Sequence, residues 1–230
     1  MIPLDIISDP ICPWCLIGKT RLDRAIEQVG HNPFTPRWRM FRLNPEMPAE
    51  GMDRRGYLEA KFGGPAGAER VYGHIAEVAA ADGLDLALDA IGRTPQTLNA
   101  HRLIRWAEQD DRQQDVVDAL FERYFRRGQD ISDAAVLTDV ARSAGMDAAV
   151  VARLLDGDAD RDALVEEEDA ARKMGVTGVP CYIIDGKYVV QGAQDTATWV
   201  RIIEEIGTAL SDGAADEEPD AEQAPTEVQP

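Results

Sequence analysis

Cysteine and histidine are scarce: the 230-residue chain has three of each. A secreted scaffold built on disulfides would carry more cysteines, and an even number of them. A structural zinc site needs four ligands, and of Cys12, Cys15, Cys181, His31, His74 and His101 only two stand at ligand spacing, so no metal is expected. Bases are in deficit, with 24 Lys and Arg against 42 Asp and Glu and a net charge of −18. No basic surface is left to displace counterions from phosphates, which argues against nucleic acid and against an anionic membrane as partners. Long apolar runs are missing too. No window approaches the 18 residues of a membrane span, and Asp5 interrupts the one N-terminal stretch that could serve as a signal sequence. The expectation is a soluble, cytoplasmic protein.

What is present suffices for a core, at 44% hydrophobic and 29% charged residues. The charge is uneven. Residues 211–230 hold seven acids, no base and three prolines, which reads as a disordered acidic tail. Taking those seven charges from −18 leaves −11 for residues 1–210, acidic but ordinary.

Hydrophobic periodicity orders the rest. Leu4–Ser8 reads as a buried strand ending at Asp9-Pro10, and a helix follows from Trp14 to a stop at Gly30. Thr35–Phe41 alternates like a second strand. Helical patterns cover Ala66–Ala81, Pro95–Gln109 with Thr94 as N-cap, Asp115–Arg127, Ala135–Ser143, Ala148–Leu155 and Ala163–Met174. Gly145 and Gly175 suit C-cap positions. Cys181–Ile184 and Tyr188–Gln191 flank Asp185-Gly186 as a hairpin, and Thr196–Leu210 closes the chain as a helix. The order is β-α-β, a helical block, then β-β-α, the pattern of one sheet interrupted by an insertion. The expected divisions are 1–50, a helical insertion over 51–174, 175–210, and the tail.

Cys12-Pro13-Trp14-Cys15 lies between the first strand and the first helix. There the unpaired N–H groups and dipole of a helix N-terminus favour a thiolate at Cys12. Cys12 would attack a disulfide, and Cys15, one turn in, would resolve the mixed disulfide. Trp14 reads as an apolar substrate contact. Val179-Pro180, before the hairpin, marks a tight turn. His101 is read either as a polar group lining the groove together with Asn99, or as a satisfied core histidine. Cys181 is either a third redox thiol or a small buried hydrophobe. Gly18-Lys19-Thr20 lacks the earlier glycine of a phosphate loop, and Glu166-Glu167-Glu168-Asp169 reads as a solvated helix face.

Ser8-Asp9-Pro10-Ile11-Cys12-Pro13-Trp14-Cys15-Leu16-Ile17-Gly18-Lys19 carries a family resemblance. So do Trp38 to Pro48, Asn99-Ala100-His101-Arg102-Leu103, Gly175 to Pro180, and Gly192-Ala193-Gln194. Together they resemble thioredoxin-fold oxidoreductases of the DsbA class, in the FrnE-like branch. That branch is related to 2-hydroxychromene-2-carboxylate isomerases and kappa-class glutathione transferases. The resemblance implies an α/β thioredoxin fold with a large helical insertion. It also implies a cis peptide at Pro180, with Val179 facing the sulfur of Cys12 and its backbone docking extended substrate. The isomerase relatives usually carry serine at the first cysteine, so two cysteines favour thiol–disulfide exchange. Partners would then be client protein thiols, or a glutathione- or thioredoxin-type reductant. No cofactor is expected, with glutathione considered only as a co-substrate. The rival is a glutathione-dependent isomerase or transferase on an aromatic small molecule; a binding role for the acidic tail is third. Oligomeric state is left open, a homodimer included.

Overall fold

A computed structural model describes residues 1–215, with side chains through residue 208. The expected acidic tail lies outside the described residues from 216 onward.

The sheet has four strands in the order β2-β1-β5-β6. β1 (Ile2–Ser8) runs parallel to β2 (Phe34–Met40), while β5 (Cys181–Ile184) is antiparallel to β1 and to β6 (Tyr188–Gln191). β1 is central and buried on both faces, which explains its nearly unbroken apolar run. Leu4 and Ile6 point into the main core, and Ile7 into a smaller cluster on the opposite face. Asp5, in the middle of β1, is partly exposed and paired with Arg37 and Arg39 of β2 at 2.8 and 3.0 Å.

α1 (Pro13–Val29) and α9 (Thr196–Ala215) pack together over the sheet. α1 ends where Gly30 turns left-handed at φ 82, a conformation that glycine adopts without a Cβ penalty. Between β2 and β5 come β3 (Met52–Asp53), α2 (Arg54–Phe62), α3 (Pro65–Ala81), β4 (Arg93–Thr94), α4 (Leu98–Ala107), α5 (Gln113–Phe121), α6 (Ala134–Ser143), α7 (Ala148–Asp156) and α8 (Arg161–Lys173). One apolar core is continuous through both regions, from Leu4, Ile6 and Trp38 of the sheet to Leu103, Val116, Phe121 and Leu137 of the insertion.

The structure corrects the sequence reading at several points. α2 was not anticipated: it carries few apolar residues and a Gly56, and is nucleated by the Asp53 side chain accepting the Gly56 N–H at 2.9 Å. Thr94 does not cap α4. It sits in the short β3–β4 ribbon, with its hydroxyl near the Arg54 guanidinium, and α4 begins at Leu98. The helix expected over Asp115–Arg127 ends at Phe121 and widens into a π-turn, Glu122–Arg126, that buries both Tyr124 and Phe125.

The acidic run on α8 is not wholly solvated either. Glu168 is 1% exposed. It accepts the Arg42 backbone N–H and Nε at 2.7 Å each and Arg172 Nη2 at 2.7 Å, pinning α8 to the chain leaving β2. Arg172 also donates to the Arg42 carbonyl and lies over the Phe41 ring at 4.0 Å. Burial opposes ionisation of Glu168, but the hydrogen bonds from Arg172 and Arg42 outweigh it and hold the carboxyl below the ordinary range. Its contribution is complete above the ordinary glutamate value of 4.5 and fades as pH falls below it. Glu168→Gln strands two arginines, and urea unfolding at pH 7 should show a loss of about 3–5 kcal/mol. The difference from the unsubstituted protein should narrow as the titration is repeated below pH 4.

Candidate active site

β1 delivers the chain to the site. At its end the Asp9 carbonyl accepts the Cys12 N–H at 2.9 Å, closing a turn. Cys12 is the N-cap of α1, with extended backbone (φ −87, ψ 114) and Pro13 at the first helical position, where a missing N–H costs nothing. The Cys12 carbonyl then accepts the N–H groups of Cys15 and Leu16 at 3.1 and 3.4 Å, so the helix itself fixes the two cysteines one turn apart. Both thiols are free. Their side chains are close enough to interact electrostatically.

From the other end of the chain comes the turn before β5. The Val179–Pro180 peptide bond is cis, and the Val179 carbonyl accepts from Cys12 Sγ at 3.7 Å. The residues in contact are 167 positions apart in sequence. Antiparallel pairing of Ile7 with Cys181 and Ile6 with Tyr182 brings them together.

Burial, reinforced by the Cys12 side chain, pushes the Cys15 thiol well above the ordinary thiol range; contacts from Ser8 and the Asp9 backbone only partly offset this. Cys15 is therefore a protonated thiol at neutral pH.

The remaining sequence candidates divide. Pro13 is buried in the first turn. Trp14 is half-buried, with its ring 5.9 Å from the His74 imidazole on α3, so an insertion helix forms one rim of the site. Asn99 is engaged within α4. Its Oδ1 accepts Arg102 Nη1 at 2.9 Å, and Arg102 in turn ties α4 to the carbonyls of Leu154, Gly157 and Ala159. His101 lines no open groove, being 3% exposed and lying against Asp9. Cys181 is fully buried on the opposite face of the sheet, among Ile7, Phe41, Ala171 and Val176, and burial raises its thiol. That is the environment of a small hydrophobe.

Several neighbours were missed because they come from distant elements. The sequence marks Asp9 only as a turn residue, yet its carboxylate is fully buried and accepts the Leu43 N–H at 2.7 Å. Arg54, from the unanticipated α2, donates to Tyr72 Oη at 2.7 Å and Tyr124 Oη at 2.9 Å, and Tyr72 is close enough to Cys12 to interact electrostatically. Among the described residues no group of three His, Cys, Asp or Glu side chains is placed to hold a metal ion. No helix among them is long and apolar enough to cross a membrane.

Residues 3–204 match the family described as DSBA-like thioredoxin domain. The chain belongs to that family. Among solved structures, this DSBA-like chain is similar to a probable DsbA oxidoreductase from Streptomyces coelicolor. They share 26% identity and a TM-score of 0.77, covering 100% of this chain and 94% of the other. A 2-hydroxychromene-2-carboxylate isomerase shares the fold at 16% identity and TM-score 0.67, over 94% and 99% of the two chains. The cytosolic disulfide reductase DsbM from Pseudomonas aeruginosa, solved with GSH, does so at 17% and 0.64, over 91% and 99%. An uncharacterized protein of Bacillus subtilis, YwbO, is 25% identical over 83% of this chain and 90% of its own.

Within this DSBA-like domain, α1 meets the cis-proline turn through Gly18. A Cβ there would stand 2.5 Å from Tyr182 Oη, 3.1 Å from Pro180 Cγ and 3.3 Å from Ala193 Cα. Gly18→Ala must push α1 away from the turn that faces Cys12. Denaturant unfolding should register a loss of about 1–3 kcal/mol. In the Cys12→Ser protein, iodoacetamide should leave Cys15 essentially unmodified at pH 7, with the labelling rate, followed by mass spectrometry, rising only in strongly alkaline buffer.

Proposed function

We propose that this protein is a cytosolic thiol–disulfide oxidoreductase working through Cys12 and Cys15. The observation that carries the reading is the pair itself: two cysteines held one turn apart at a helix N-terminus, the first facing the Val179 carbonyl across the cis bond. In the reducing direction Cys12, as thiolate, attacks one sulfur of a substrate disulfide, and the other substrate sulfur leaves as a thiolate. A mixed disulfide now joins Cys12 to substrate. Cys15 loses its proton and attacks Cys12 Sγ, which releases the second substrate thiol and leaves a Cys12–Cys15 disulfide. An external thiol, of the glutathione or thioredoxin type, returns the pair to the reduced state. The same steps run backward oxidise a client dithiol. The direction is set by the potential of the pair against that of the compartment. Pro13 and Trp14 border the attacking sulfur, and the Val179 backbone offers an edge for extended polypeptide.

A glutathione-dependent isomerase or transferase is the second reading, favoured by one cluster. Asn44 Nδ2 is buried without a partner, while Asn44 Oδ1 meets Tyr57 Oη at 2.9 Å and Lys61 Nζ at 3.1 Å. Tyr57 and Arg54 both interact with Tyr72, which in turn interacts with Cys12, so this cluster would offer hydrogen-bond donors to a carboxylate-bearing thiol.

The two readings part at Cys15. In exchange chemistry, Cys15→Ser leaves the mixed disulfide unresolved. Cells expressing it should yield disulfide-linked adducts that dithiothreitol releases and that Cys12→Ser does not form. Recovering no adduct, together with saturable glutathione binding and activity intact in Cys15→Ser, would favour the isomerase reading instead.

A further inference from the structure

Beneath the Cys12–Cys15 turn lie two buried polar side chains that the exchange chemistry leaves unused. Asp9 is fully buried, and its backbone carries the turn: its carbonyl accepts the Cys12 N–H, and its backbone also interacts with the Cys15 thiol. Its carboxylate accepts the Leu43 N–H through Oδ2 at 2.7 Å and, at a long 3.4 Å, the Ile11 N–H through Oδ1. Oδ1 is thus poorly satisfied for a carboxylate removed from water. His101, 3% exposed on α4, has a buried Nε2 with no hydrogen-bond partner, 3.7 Å from that same oxygen. Two incompletely satisfied polar atoms therefore face one another across a gap slightly longer than a hydrogen bond. The other polar group facing the Asp9 carboxylate is Tyr124, whose hydroxyl is occupied by Arg54, while the two cysteines meet Asp9 through its backbone.

On the thiol–disulfide reading above, we propose that His101 is a positioning residue that acts through Asp9 on the redox balance of Cys12 and Cys15. An Nε2–H donor closing onto Oδ1 holds the carboxylate away from the sulfurs and draws off part of its charge. Without that donor the full carboxylate charge faces the cysteines, and negative charge on the reduced pair becomes less favourable. The disulfide is then favoured over the dithiol, and the protein becomes a stronger reductant.

The test is redox titration of the full-length protein at pH 7 in buffers of glutathione and its disulfide. Two glutathione thiols give up two electrons and two protons to one Cys12–Cys15 disulfide, and alkylation with mass spectrometry reads the fraction reduced. His101→Leu should lower the equilibrium constant for reduction about threefold to tenfold, or roughly 15–30 mV. His101→Gln keeps a donor and should stay within about twofold of the unsubstituted protein. In an Asp9→Asn background, His101→Leu should change nothing further. A lowered unfolding midpoint for His101→Leu with an unshifted equilibrium constant would reduce His101 to a packing residue and overturn the inference. So would a His101→Leu shift that survives in Asp9→Asn. Should His101→Leu not fold, His101→Met makes the same comparison. Failure of the unsubstituted protein to form any reversible Cys12–Cys15 disulfide would instead overturn the oxidoreductase reading itself.

Discussion

The contact between Cys12 Sγ and the Val179 carbonyl is the constraint on which the rest of the site depends. Neither partner reaches it alone. Cys12 is set by the end of β1 and the first turn of α1, and Val179 by the turn entering β5. Their meeting requires the antiparallel β1–β5 register, in which Ile7 lies beside Cys181. A slip of one residue would send Tyr182 to the other face and Cys181 toward the redox pair. Gly18 lets Tyr182 and Pro180 approach α1 closely enough for the contact to form. The site is thus a product of sheet topology, with the chemistry placed where the two ends of the chain converge.

The insertion does more than separate those ends. Its helices share the core that holds β1 and α1, so the site cannot relax independently of them. α8 is clamped to the exit of β2 by Glu168, Arg42 and Arg172, and the next residue along, Leu43, gives its N–H to Asp9. A continuous series of buried polar contacts therefore runs from α8 to the floor of the cysteine turn. α3 reaches the same site from the other side, through Trp14 and His74.

The elements legible in the sequence were those with strong local signals. The cysteine motif followed an apolar strand, Asp185-Gly186 sat between β-rich runs, and Gly30 stood where the first helix stops. Where the determinant was tertiary, local reading failed. α2 has a weak apolar face and is held by the Asp53 cap and by Arg54 reaching buried tyrosines. Thr94 has the chemistry of a cap, but the β3–β4 ribbon and Arg54 claim it. Glu168 and Glu167 are indistinguishable in sequence, yet one is buried between two arginines and the other pairs with Arg105 toward solvent. Asn99 and His101 stand out in the sequence as polar groups on an apolar helix, but helical spacing does not show that one serves Arg102 and the other faces Asp9.

Reduction of insulin by the purified protein with dithiothreitol as electron source tests the central claim most directly. The account predicts precipitation of insulin chains well ahead of dithiothreitol alone, with the acceleration lost in Cys12→Ser. No acceleration by the folded, fully reduced protein, or acceleration unchanged in Cys12→Ser, would contradict it.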